Sequence, residues 1–121
     1  MPSRSYLTLP INADEGFPQA FRLNFNGQSY QILLYVNIAA ALLQDADALF
    51  QLPMPGAFLV LRVLREAANG VTVIFQRKII PYLEYEAAEL VLTFSDIRIA
   101  RRNLNGTGAF GSQVLGGIAA R

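Results

Sequence analysis

Cysteine, histidine and tryptophan are absent from this chain of 121 residues. Without cysteine there are no disulfides and no thiolate chemistry, and the redox compartment leaves no trace. Without histidine the commonest metal ligand and acid–base group is missing. A zinc enzyme, a Ser-His-Asp triad and a Cys-His nucleophile pair are excluded within this chain. Charge is scarce as well, at 16% of residues against roughly 25% in average domains. Lysine is nearly absent: Lys78 is alone among ten basic residues, and the others are arginine. Arginine suits planar pairing in partly buried interfaces, whereas lysine is the better solvated surface charge. The net charge of +1 gives no global signature for nucleic acid or an anionic membrane.

Long apolar runs are missing too. The uncharged stretch from Leu23 to Gln44 is interrupted by Asn24, Asn26, Gly27, Gln28, Ser29, Gln31 and Asn37, which argues against a membrane span. The opening MPSRSYLTLPINADEG has no apolar h-region and predicts no signal peptide. A soluble chain, not exported by the general pathway, is expected.

What the chain has in quantity is apolar side chain, 53% of residues against about 45–50% in average usage. A small domain has much surface per volume, so the surplus must lie exposed or be covered by a partner. Assembly, with copies of itself or with other proteins, is the simplest expectation. One domain is expected from the length.

SYLTLP (5–10) alternates and ends at a proline, as a short edge strand does. FRLNFNGQSYQILLYV (21–36) reads as a hairpin closed by Asn26-Gly27 in a type I′ turn, which needs positive φ at both positions. That turn sets Phe25 against Gln28, Leu23 against Tyr30 and Phe21 against Ile32. One face then collects Phe21, Leu23, Phe25, Tyr30, Ile32 and Leu34. NIAAALLQDADALFQL (37–52) is rich in Ala and Leu and predicts a short helix over 39–51, ended by LPMPG. AFLVLRVLREAANGVTVIFQRKII (57–80) reads as a second hairpin with a three-residue loop, Ala68-Asn69-Gly70. This loop pairs Leu64 with Ile74 and Val63 with Phe75, and keeps Arg62 from facing Arg77. YLEYEAAE (82–89) reads as a polar-aromatic connection. LVLTFSDIRIARR (90–102) is a strand whose apolar parity changes from Leu90, Leu92 and Phe94 to Ile97 and Ile99, so a bulge is expected near Ser95-Asp96. The expected core is Phe21, Leu23, Tyr30, Ile32, Leu34, Val60, Leu64, Ile74, Phe75, Leu90, Leu92 and Phe94.

From Asn103 onward the chain carries no charge until Arg121 and holds five of the nine glycines. Free tails are usually polar. This one carries Leu104, Phe110, Val114, Leu115 and Ile118 between flexible links, and predicts an arm that becomes ordered on a neighbour. The expected division is a β domain over 1–102 and a Gly-rich extended arm over 103–121. The fold class expected is mainly β, a small sandwich or partly closed barrel of about six strands with one short helix.

Within the tail, GTGAFG (106–111) spells Gly-x-Gly-x-x-Gly. A dinucleotide site needs that spelling between a strand and a helix, with a second strand and an acid about 20 residues on. Only ten residues follow Gly111, so no cofactor is assigned. Glu84, Glu86 and Glu89 could supply paired carboxylates, but nothing in the sequence positions them. Asp45 and Asp47 lack the dense oxygen pattern of a calcium loop. No catalytic, metal or small-molecule site is therefore expected. Arg98, Arg101 and Arg102, with Arg62, Arg65, Arg77 and Lys78, could serve single strands of nucleic acid as an OB-fold does. The aromatics, however, fall on faces that a core needs, so ion pairs within or between subunits are the preferred role. Asn105-Gly106-Thr107 matches a glycosylation acceptor but has no secretory context.

The hairpin segment resembles the opening of the small baseplate plug proteins of contractile-tailed bacteriophages, best known from cyanophages. Those proteins carry a "Phe-x-Leu-x-Leu-(Asn/Asp)-Gly-x-x-Tyr" hairpin, and Phe21, Leu23, Asn26, Gly27 and Tyr30 fit it, with Phe25 in place of the second Leu. Residues 63–94 are similar in layout to their later strands. The Ala/Leu-rich segment 39–51 and the Gly-rich ending depart from the pattern. The resemblance implies a compact β-structure and a non-enzymatic part of the virion. Such a part would plug or line the tube–hub channel and contact hub and tube proteins. A head–tail connector, tube or decoration protein, or a nucleic-acid-binding β-barrel, remain alternatives. The expected interface residues are Arg98, Arg101, Arg102, Leu104, Phe110, Val114, Leu115 and Ile118.

Overall fold

A computed structural model describes residues 5–121. Residues 1–4, part of the stretch read for a signal peptide, lie outside that description. Among the described residues there are nine strands: β1 (Leu7–Thr8), β2 (Gln19–Phe25), β3 (Gln28–Ile38), β4 (Leu49–Gln51), β5 (Ala57–Ala67), β6 (Gly70–Lys78), β7 (Glu84–Ala87), β8 (Leu90–Ala100) and β9 (Gln113–Ala120). They form two antiparallel sheets, the mainly β sandwich expected. One sheet runs β2-β3-β5-β6. The other runs β1-β9-β8, with β7 and β4 sharing the far side of β8.

The β2–β3 hairpin has the register that its turn dictates. Asn26 and Gly27 have φ of 51° and 77°, and the pairs run from Phe25–Gln28 to Gln19–Leu34. Tyr30, Ile32 and Leu34 consequently point into the core, with Phe21 and Leu23 packed against it. β3 then imposes its parity on β5 through the pairs Ile32–Val63 and Leu34–Leu61. Leu59, Leu61 and Val63 are fully buried. Leu64, expected in the core, is only partly buried on the opposite face of the sheet, where Val60, also expected in the core, is buried. Both faces of β5 are apolar, so its own periodicity could not choose between them.

The second hairpin closes one residue tighter than expected, with Ala67 opposite Gly70, so Leu64 meets Val73 rather than Ile74. A bulge at Ile74 then restores the expected register, setting Val63 against Phe75 and Arg62 against Gln76. The parity change in β8 is also a bulge: the ladder skips Ser95 between Phe94 and Asp96. It returns Ile97 and Ile99 to the face already used by Leu90, Leu92 and Phe94, and all five are buried.

The helix expected over 39–51 does not form. Ala40–Leu43 make a single 3-10 turn, and Leu49–Gln51 become β4, paired to the end of β8. Phe50 enters the core while Leu49 faces out, the period-2 pattern of an edge strand. The free edge of β8 outweighs the helix propensity of Ala and Leu. Residues 84–87 are likewise a strand and not a connection, with Tyr85 and Ala87 buried between exposed Glu84 and Glu86.

The separate C-terminal arm is the largest correction. Residues 113–120 form β9, an interior strand between β1 and β8. Val114 and Ile118 sit in this chain's own core. Gly116 permits the fit, because a Cβ there would lie 2.7 Å from the Phe94 ring. The 103–121 segment is thus part of the same domain as 5–102.

Candidate functional site

The loop 104–112 explains its own glycines. Asn103 is fully buried, and its amide donates to the carbonyls of Gly106 (3.2 Å) and Gly108 (3.0 Å). Its oxygen accepts from the Ser112 hydroxyl at 2.6 Å. The loop is also tied to the 3-10 turn Ala13–Glu15 and its neighbour Phe17. Gly108 N donates to Asp14 O at 2.8 Å, and Asn105 N to Phe17 O at 2.7 Å. A Cβ on Gly106 would overlap the Arg102 carbonyl. GTGAFG is therefore a backbone coil wound around a buried asparagine, with neither a helix nor a phosphate cradle after it.

The expected interface residues scatter. Arg98 donates to Gln113 Oε1 at 3.0 Å, and Arg101 to the Leu43 carbonyl at 3.0 Å. Arg102 pairs with Asp47 at 3.0 Å and lies over the half-exposed Phe110 ring, 6.0 Å from its centroid. Leu104 packs against the core and bridges to Phe17. Leu115 is exposed on β9, while Val114 and Ile118 are buried. Arg102 and Phe110 are brought together, but the eight residues do not share one surface.

The acids are engaged in pairs. Glu86 meets Arg121 at 2.9 Å, and Glu84 accepts from the Tyr6 hydroxyl. Asp45 accepts from its own loop, at Asp47 N. Glu66 binds Arg22 and Gln31, which hold its carboxyl below the usual range. Glu89 joins the two sheets. From the β7–β8 turn it accepts from the Tyr30 hydroxyl on β3 at 2.5 Å, and from Arg65 Nε on β5 at 2.9 Å. Arg65 and Tyr30 together hold the Glu89 carboxyl at about 2. Burial, aided by Glu89, pushes the Tyr30 phenol up to about 12.

The surface with most to offer a partner lies at the open side of the sandwich, where β6 and β7 each end their sheet. Of nine large apolar side chains exposed among the described residues, five are Val71, Val73, Ile80, Tyr82 and Leu83. All belong to β6 or its connection to β7. An open groove of about 870 Å³ runs between the two strands, lined by Gln76, Arg77, Lys78, Ile80, Leu83, Glu84, Tyr85 and Glu86. Three successive residues of each strand line it. Tyr85 spans its base: its ring meets Phe75 edge-on at 5.8 Å, and its oxygen accepts from Ile80 N at 2.8 Å. Lys78 lies over Phe58, 5.1 Å from the centroid, and Arg77 and Lys78 make no ion pair among the described residues. The sequence offered one signal for this site, the run of apolar residues on both faces of 71–83. The interface expected in the Gly-rich ending lies elsewhere, in β9 and its loop.

No protein-family model, curated protein or solved structure matches this chain.

Proposed function

We propose that this protein is a non-enzymatic structural subunit of a phage contractile-tail baseplate. It plugs or lines the tube–hub channel and is held there by hub and tube proteins. The observation that carries the reading is the β6–β7 side: clustered exposed apolar residues beside two strand edges without a neighbour among the described residues. Such a surface is a liability on a protein that works alone and an asset on one built into an assembly. The resemblance of residues 21–36 to the plug proteins directs the reading to the baseplate and so to the virion. Arginine in place of lysine, and apolar surplus in place of charge, favour a subunit buried among neighbours.

The test is native mass spectrometry of the purified chain, alone and mixed with hub and tube proteins of a contractile tail. Stable complexes with hub or tube components are expected. A chain that joins neither refutes the baseplate reading, and capture only by connector or decoration proteins transfers it to another part of the virion.

A further inference from the structure

The geometry points to a specific occupant for the β6–β7 groove: an extended segment of a different protein, carrying carboxylates, that adds to the edge of β6 as an extra strand. The inference deepens the structural reading above and names the chemistry of its docking site. Edge strands accept an extended peptide through main-chain hydrogen bonds, and alternate side chains then give specificity. Here the groove follows the backbone along Gln76–Lys78 on one bank and Glu84–Glu86 on the other. A strand laid in it would have the first as its sheet neighbour and would cover the gap that leaves the sandwich open. Its apolar side chains would meet Ile80 and Leu83, which are 43% and 48% exposed.

Charge selects the partner. Across the groove, Glu86 is already paired with Arg121, and Glu84 is bound by Tyr6. Arg77 and Lys78 have no carboxylate partner among the described residues, so two cations on the β6 bank stand without a counter-ion. A second copy does not supply the missing acids through its own β6. In an antiparallel pair centred on Ile74, Arg77 would face Val71 of the partner and Lys78 would face Gly70. The only charges on this strand are Arg77 and Lys78. An acidic, alternately apolar segment of another protein satisfies the edge and sets its carboxylates beside one of the two cations, since Arg77 and Lys78 point to opposite faces of β6.

The probe is a blocked peptide of about eight residues alternating valine with glutamate, set beside its valine–lysine counterpart. Each is added to the full-length protein while backbone hydrogen exchange is followed. The glutamate peptide is expected to slow exchange in 75–80 and to bind more weakly as salt rises. Arg77→Glu/Lys78→Glu should cut its affinity about tenfold or more and shift preference to the lysine peptide, with an unchanged urea midpoint as the check on folding. An N-methylated glutamate peptide, which keeps its charge and loses backbone donors, should fail to protect β6. Equal binding of both peptides, protection that avoids β6, no binding at millimolar peptide, or a dimer that protects β6 without peptide would each overturn the inference. Complexes with hub or tube proteins that survive such a failure would leave the baseplate reading intact and move its contact surface elsewhere.

Discussion

Glu89→Gln tests the physical picture most directly, because a single carboxylate fastens one sheet to the other. In the native protein it accepts from Tyr30 Oη at 2.5 Å and from Arg65 Nε at 2.9 Å, with the second Arg65 nitrogen also in contact. Charge-assisted hydrogen bonds of this kind contribute about 1.5–3 kcal/mol each when shielded. Glu89 and Arg65 are 44% and 32% exposed in their side chains, so solvent screening brings the net for the variant to about 1–2 kcal/mol. The pH dependence carries a definite sign. The carboxyl titrates at about 2 in the folded chain, against an ordinary value of 4.5. Its contribution is fully present above 4.5 and is lost as pH falls through about 2. Urea denaturation at pH 7 should show Glu89→Gln destabilised by about 1–2 kcal/mol, and the gap should shrink steadily below pH 4.5. Glu66 has a depressed pKa as well, so both proteins weaken in acid and only their difference isolates Glu89. A gap that stays constant from pH 7 to pH 2.5, or no gap at neutral pH, would refute the inter-sheet clamp.

Tyr30→Phe should lose about 1 kcal/mol by the same assay. The loss should fade as pH rises from 10 towards 12, because the phenol's raised pKa places its stabilisation below that window. Asn103→Ala should cost about 2–3 kcal/mol, because the Gly106 and Gly108 carbonyls and the Ser112 hydroxyl lose their shared partner. Hydrogen exchange should then accelerate across 104–112. Gly116→Ala places a methyl 2.7 Å from the fully buried Phe94 ring and should destabilise by about 1–3 kcal/mol in thermal or urea melts. Deleting 113–121 removes the strand between β1 and β8, so near-ultraviolet circular dichroism should show loss of tertiary structure. A folded, soluble remnant would revive the view of the C-terminus as a detachable arm.

The legible parts of the sequence were those where local chemistry leaves one solution. Asn26-Gly27 admits a turn with two positive φ values, and that turn fixes the β2–β3 register pair by pair. The parity change after Phe94 demanded an extra residue, and Ser95 is that residue. Segments that satisfy two patterns were read less well. Ala39–Gln51 has good helix formers but becomes a turn and an edge strand, because β8 offers it hydrogen bonds. Glu84–Ala87 carried the alternation of a strand in only four residues, hidden in a polar context. The candidate groove belongs to neither hairpin alone. Its banks come from strands of different sheets, and which β6 side chains remain exposed depends on where the second sheet ends.

Composition and turn chemistry by themselves determined the mainly β class, the first hairpin with its inward face, the bulge in β8 and the absence of His- or Cys-based chemistry; that the strands form two sheets of a sandwich and not a partly closed barrel was decided by tertiary pairing. Tertiary structure decided which apolar face of β5 is core, because only pairing with β3 breaks a tie between two greasy faces. It also decided the fate of the glycine-rich ending. Leu104, Val114 and Ile118 have the spacing of anchors for another molecule, but a chain with an unfilled place between β1 and β8 takes its own apolar strand first. That strand follows β8 on the same polymer after the short loop 101–112 and needs no encounter with a partner.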